Sequence, residues 1–217
     1  MIVLRYVKRG DLSYVSHKDI LRVLQRGLKR MRVDVRYSAG FVPHMLTYTT
    51  APIPLGAQSV AEYFTVECDG IGAEEFLTRY NAAMPSGLRG VFAWQVDKNP
   101  NLAGIVQASD YRIEAPELDA QAVERLASRD VWQIPIVRKG KEQTVDIRPM
   151  IYGLHCEQGR LHMRLATGSV ANLRVDAMLR ALNDACGCDL SLHDVVRTAQ
   201  LARDTDGNWT DAERYLI

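Results

Sequence analysis

No apolar run in this chain approaches the roughly 20 residues that a membrane-spanning helix needs, so no bilayer segment is expected. Neither a Gly-x-x-x-x-Gly-Lys loop nor a Gly-x-Gly-x-x-Gly run is present, which leaves nucleotide-cofactor chemistry of those kinds without support. The Cys-x-x-x-Cys-x-x-Cys motif of a radical SAM cluster is missing too, so the chain is not itself a radical enzyme of that type. Cysteine is scarce: Cys68, Cys156, Cys186 and Cys188 lack the spacing of a zinc or iron–sulfur site. The Cys186-x-Cys188 pair reads as incidental or buried, and neither a metal nor a cofactor is expected. The chain begins with a strand-like run, Ile2 to Tyr6, and shows no apolar signal segment, which predicts a cytoplasmic, reduced protein.

What is present is an ordinary globular composition with an uneven charge distribution. Hydrophobic residues make up 47% and charged residues 24% of 217, enough to bury one large core or two smaller ones. The formal net charge of +1 conceals a basic first segment: residues 1–37 hold ten Lys or Arg against three acids, and the remainder is acidic by six.

The basic segment centres on a predicted helix. Ser16 has the character of an N-cap, with Asp19 three residues on as a capping-box variant. Ile20, Val23, Leu24, Leu28 and Met31 make an apolar stripe, and Lys18, Arg22, Arg26 and Arg30 recur at four-residue spacing on the polar side. Like charges so placed repel by a few tenths of a kcal/mol per pair, roughly, so this face is expected to meet an anion.

Around it, strand signals at 2–7, 12–15, 34–37, 45–50, 61–67 and 88–96 and a helix at about 73–83 approximate the order β-α-β-β-α-β. Residues 99–108 read as a connector, after which the order recurs: strand 111–115, helix 119–128, strands 131–137 and 144–147, a hairpin of 150–156 and 161–166, helix 175–185 and strand 192–202. The predicted fold class is α+β, as two tandem ferredoxin-like (β-α-β-β-α-β) sandwiches, with domains at 1–98 and 109–217.

Two polar clusters flank the basic helix. His17 follows the cap, where the helix dipole disfavours imidazolium and leaves a neutral imidazole as acid, base or donor; packing against a loop is the plainer alternative. Between Ser38 and His44, Gly40 suits a positive-φ turn, and Phe41 with Pro43 makes a rigid apolar wedge. Such a loop suits a phosphate or RNA backbone, with Phe41 or Tyr37 available for stacking, or is simply a tight connection. A single pocket holding His17, Ser38, Gly40 and His44 is expected. Glu62 is open to either solvent or the cationic helix, and Asp146 with Arg148 reads as a surface ion pair on one strand face.

At Ser16, His17, Asp19, Arg22, Arg26, Arg30, Ser38, Gly40, Phe41, Pro43, His44, Pro54, Leu55, Gly56, Ser59 and Glu62 the chain resembles the radical-SAM-linked family of bacterial domains of unknown function. Weaker agreement continues through Asp146, Arg148, Pro149, Arg197 and Thr198, and the chain departs from the family pattern at Lys18, Gln25, Ala39, Val42 and Met45. The resemblance implies a radical SAM protein as partner, and RNA or ribosome-associated factors as surroundings. His17, Asp19, Arg22, Arg26, Arg30, Ser38, Gly40, Phe41 and His44 are the candidate ligand- or RNA-binding residues, with no catalytic residue assigned. A non-catalytic module that binds RNA or presents a substrate is the leading expectation. The alternatives are a metal-independent endoribonuclease using His17 or His44 as general base, and a scaffold that docks an acidic protein surface.

Overall fold

A computed structural model describes residues 1–138 and 140–216. In chain order the elements are β1 (Ile2–Lys8), α1 (His17–Arg30), β2 (Asp34–Val35), β3 (Thr47–Thr49), β4 (Gln58–Val66), β5 (Cys68–Asp69), α2 (Ala73–Ala83), β6 (Gly90–Gln95), α3 (Leu102–Ile105) and β7 (Ala108–Glu114). They continue with α4 (Ala120–Ala127), β8 (Gln133–Arg138), β9 (Lys141–Asp146), β10 (Ile151–Glu157), β11 (Arg160–Ala166), α5 (Val175–Cys186), β12 (Val195–Arg203) and β13 (Trp209–Asp211). The fold is α+β. Nine strands form one mixed sheet whose main path runs β10-β11-β7-β12-β4-β1-β6, with β3 added to β4 and β13 to β12. Numbered from one to four within each half, β1, β3, β4 and β6 lie in the order 2-3-1-4, and β7, β10, β11 and β12 lie in the same order. The halves meet where β12 runs parallel to the start of β4, pairing Val196 with Gln58 and Arg197 with Ser59.

Strand alternation decides which side of the sheet each residue serves. Ile2, Leu4 and Tyr6 of β1 and Phe64 and Val66 of β4 join Ile20, Leu24 and Leu28 of α1 and Phe76 and Tyr80 of α2 in one core. Tyr111 and Ile113 of β7, Met163 of β11 and Val195 of β12 pack with α4 and α5 in a second. On the opposite side, Val3 and Tyr63 are covered by Leu102 of α3 and by Ala212 and Leu216 of the C-terminal 3₁₀ turn. Gly27, in the middle of α1, exists for a close approach: a Cβ there would lie 1.7 Å from Met84 Cε, at the end of α2.

The predicted α1 is present, with Ser16 Oγ accepting from Asp19 N at 3.2 Å and Val23 half-buried rather than buried. Residues 12–15 are not a strand: Gly10–Tyr14 forms a 3₁₀ turn, entered through a positive φ at Gly10. Ser13, not the apolar neighbours, is the buried residue of that turn, and its carbonyl accepts from Gly56 N at 3.0 Å. The 99–108 connector contains the helical turn α3. No helix among the described residues is long and apolar enough to cross a membrane.

Candidate functional site

The polar side of α1 presents its cations as a row. Lys18, Arg22, Arg26, Lys29 and Arg30 are exposed. Arg22 Nη1 donates to Asp19 Oδ1 at 2.8 Å, an i,i+3 pair with both side chains more than half in solvent, so its net attraction is small. Among the described residues, Lys18, Arg26, Lys29 and Arg30 make no ion pair. Asp19 is spoken for from both sides: the Ser16 hydroxyl donates to Oδ2 at 2.7 Å, and that bond, followed by the Arg22 guanidinium, holds the carboxyl below the usual carboxylate range.

At the start of α1 lies a buried polar cluster assembled from three strands. Arg197 of β12 is 0% exposed. Its Nε donates to Glu62 Oε1 at 3.1 Å, its Nη2 reaches the same oxygen, and its Nη1 donates to the Ala51 carbonyl at 2.9 Å. Glu62 lies opposite Tyr6 on β1, and Ser59 opposite Lys8. Lys8 is 4% exposed, and its ammonium has no hydrogen bond or ion pair among the described residues. Burial pulls its pKa down against the attraction of Glu62. His17 responds to the same groups. Burial lowers its pKa first, Glu62 opposes, and Lys8 and Arg197 lower it further. The imidazole is therefore biased neutral, with desolvation the largest cause.

The segment from Ala51 to Ala57 is tied to this cluster at Ala51, whose carbonyl accepts from Arg197. Gly56 N donates to Ser13 O, and the Tyr14 hydroxyl shares a 2.8 Å hydrogen bond with His193 Nδ1. Gly56 has φ +91°, and a Cβ there would stand 3.3 Å from that same His193 nitrogen, so both backbone shape and space call for glycine.

The second polar motif is a hairpin closed on itself. Ser38 N donates to His44 O at 2.9 Å, His44 N donates to Ser38 Oγ at 3.1 Å, and Ser38 Oγ is 2.8 Å from His44 Nδ1. Gly40 has φ +122°, and beside it Phe41 is fully exposed and Val42 nearly so. The hairpin joins the sheet at Glu67, which bonds Arg36 N and Leu46 O. His17 is grouped instead with Glu62, five strand residues or about 17 Å away along β4. No hydrogen bond or ion pair among the described residues connects the two groups. Asp19, Arg22, Arg26 and Arg30 thus share α1 with His17, while Ser38, Gly40, Phe41 and His44 form a separate projection.

Other expectations change. Asp146 and Arg148 are not paired with each other through their side chains: Asp146 Oδ1 accepts from the backbone N–H groups of Trp132 and Arg148, and the Arg148 guanidinium donates to the carbonyls of Arg129 and Ile151. Both are braces of the β9–β10 connection. Glu62 faces neither solvent nor the cationic stripe, but Arg197. Lys8 was missed, although it continues the even-numbered, inward parity of Ile2, Leu4 and Tyr6, which is the available signal.

No curated protein matches this sequence. A family model does, over residues 1–175, a span that includes Lys8, α1, the hairpin and Glu62 and ends before Arg197. By that match the chain belongs to the DUF2344 family, described as an uncharacterized protein conserved in bacteria.

Proposed function

We propose that this protein is a non-catalytic, cytoplasmic accessory module that binds RNA and presents it, or a substrate attached to it, to a radical SAM partner. One observation carries the reading: Lys18, Arg26, Lys29 and Arg30 stand exposed along α1 without acidic partners among the described residues, a row suited to successive phosphates. The hairpin tip supports the partner half of the proposal, because Phe41 in full contact with water is a side chain that gains from being covered. The tandem ferredoxin-like reading belongs here as well, supported by the 2-3-1-4 strand order repeated in both halves.

Binding of structured RNA, measured across salt, tests the reading. The Arg22→Gln/Arg26→Gln/Arg30→Gln variant should shrink the log–log slope by about 2 to 3, the share of three phosphate contacts, while melting as the wild type does. Absence of RNA binding at low salt, or an unchanged slope in the variant, refutes the RNA part. Failure to co-purify with the neighbouring radical SAM protein refutes the partner part.

A further inference from the structure

The sheet face turned away from α4 and α5 carries a set of flat side chains that the basic helix does not use. His155 of β10 and His162 of β11 are directly opposite in register, with ring centroids 5.0 Å apart and planes within 6°. Tyr152, also on β10, meets Trp209 of β13 with centroids 4.9 Å apart and planes tilted by 39°. Trp209 is itself bracketed by guanidinium groups. Arg203, its register partner on β12, places Cζ 3.9 Å from the indole, and Arg164 of β11 lies at 6.0 Å.

Two open grooves flank the Tyr152–Trp209 pair. One, of about 260 Å³, is lined by Asp110, Tyr152, His155, His162, Arg164 and Thr198. The other, of about 250 Å³, is lined by Gln107, Tyr152, Ser169, Val170, Arg203 and Trp209 among others. Their net charges differ: the first lining balances Arg164 against Asp110, and the second is positive. Asp110 is the lone acid in the first lining, and both of its oxygens are held by Arg164, at 2.7 and 2.8 Å. The second lining contains Arg203 and no acid.

We infer that this face is a stacking platform for single-stranded nucleic acid, seating an unpaired base against the exposed Tyr152 ring and a phosphate near the Arg203 guanidinium that covers Trp209. Each groove has Tyr152 as a ring wall, and the second adds a guanidinium with no acid in its lining. Stacking asks only for a π-face, so sequence tolerance follows, and the two histidines extend the ring surface beyond the first groove. The platform lies on the opposite side of the sheet from α1 and stands or falls independently of the basic row.

The test is fluorescence anisotropy of the full chain with a short labelled oligouridylate, its deoxythymidine counterpart and an abasic chain of equal length. The two sugar arms separate an RNA source from a DNA source, and the platform requires binding of at least one. Tyr152→Ala and Arg203→Gln should each weaken that binding by about 5- to 100-fold, the range of a lost base stack. The abasic chain should bind more weakly than either natural oligonucleotide. Parallel melting curves confirm that each variant is folded, and His155→Ala gives a second exposed site on the same surface. No binding of either oligonucleotide at low salt, equal binding of the abasic chain, or wild-type affinity in all three variants overturns the platform. Loss of binding confined to the Arg22→Gln/Arg26→Gln/Arg30→Gln variant would overturn it too, while leaving the basic-helix proposal intact.

Discussion

Arg197 and Glu62, 135 residues apart in the chain, form one buried ion pair that fastens β12 to the first half of the sheet. Its neighbours are Tyr6, Lys8 and His17, so a single cluster joins the interior of one half to the covering helix of the same half and to the last long strand of the other.

Removing one member strands the other in a dry site. Glu62→Ala and Arg197→Ala should each destabilise the fold by about 3–5 kcal/mol, seen as a lower urea midpoint. The double variant Glu62→Leu/Arg197→Met should lose less than the two single losses combined, because neither partner is left without the other, although Lys8 then lacks the attraction of Glu62. Additive losses would show that the two side chains act independently.

Lys8 bears a charge that its surroundings oppose. Its folded pKa lies below 10.5, so the unfolded chain holds the proton more tightly and wild-type stability should rise with pH through the folded pKa up to about 10.5. Lys8→Met should remove that rise and increase the melting temperature at neutral pH by at least about 2 °C. A lower melting temperature would mean that the ammonium is favourably placed.

His17 gives a window near neutrality. Its folded pKa is depressed from 6.5, so its contribution is complete above about pH 6.5 and is lost as the pH falls through the folded value. The melting temperature of the wild type should therefore decline below pH 6.5, and His17→Gln should flatten that decline. Identical profiles for the two proteins would contradict the lowered pKa of His17.

Ser16 both caps α1 and holds Asp19. Ser16→Ala should cost about 0.5–2 kcal/mol in denaturant unfolding, and Ser16→Gly less, since glycine tolerates the cap conformation. Loss of helix content without a stability change would argue against this cap.

Phe41 should behave oppositely. Phe41→Ser should leave unfolding within about 0.5 kcal/mol of wild type, because the ring touches water on all sides. If the hairpin tip docks the proposed partner, the effect should appear instead as weaker co-purification with that partner.

Local signals made α1 legible: an apolar stripe at helical spacing, a capping serine and a clean cationic side specified its start and its exposure, while a helix expected to run to about Arg32 ends at Arg30. The β10–β11 turn was legible for a similar reason, since Gln158 and Gly159 both adopt the positive φ that such a hairpin needs. What escaped was set by distant partners. Residues 12–15 are rich in strand-forming Leu, Tyr and Val, yet the Ser13 carbonyl accepts from Gly56 and the segment forms a 3₁₀ turn. Glu62 and Arg197 were visible as motif positions, but nothing local to either identifies the other. The surface around Trp209 was invisible as well, because its rings come from β10, β11 and β13 and converge only when the sheet is complete.

The position of β12 has a consequence for biosynthesis. It is made after β7 and β4, and it lies between them. A nascent chain that has emerged only as far as α5 therefore exposes two open hydrogen-bonding edges at its centre, with the Glu62 carboxylate still awaiting its guanidinium. Those edges invite pairing with other chains. Insertion of residues 195–203 between β7 and β4 is the step that ends this exposure.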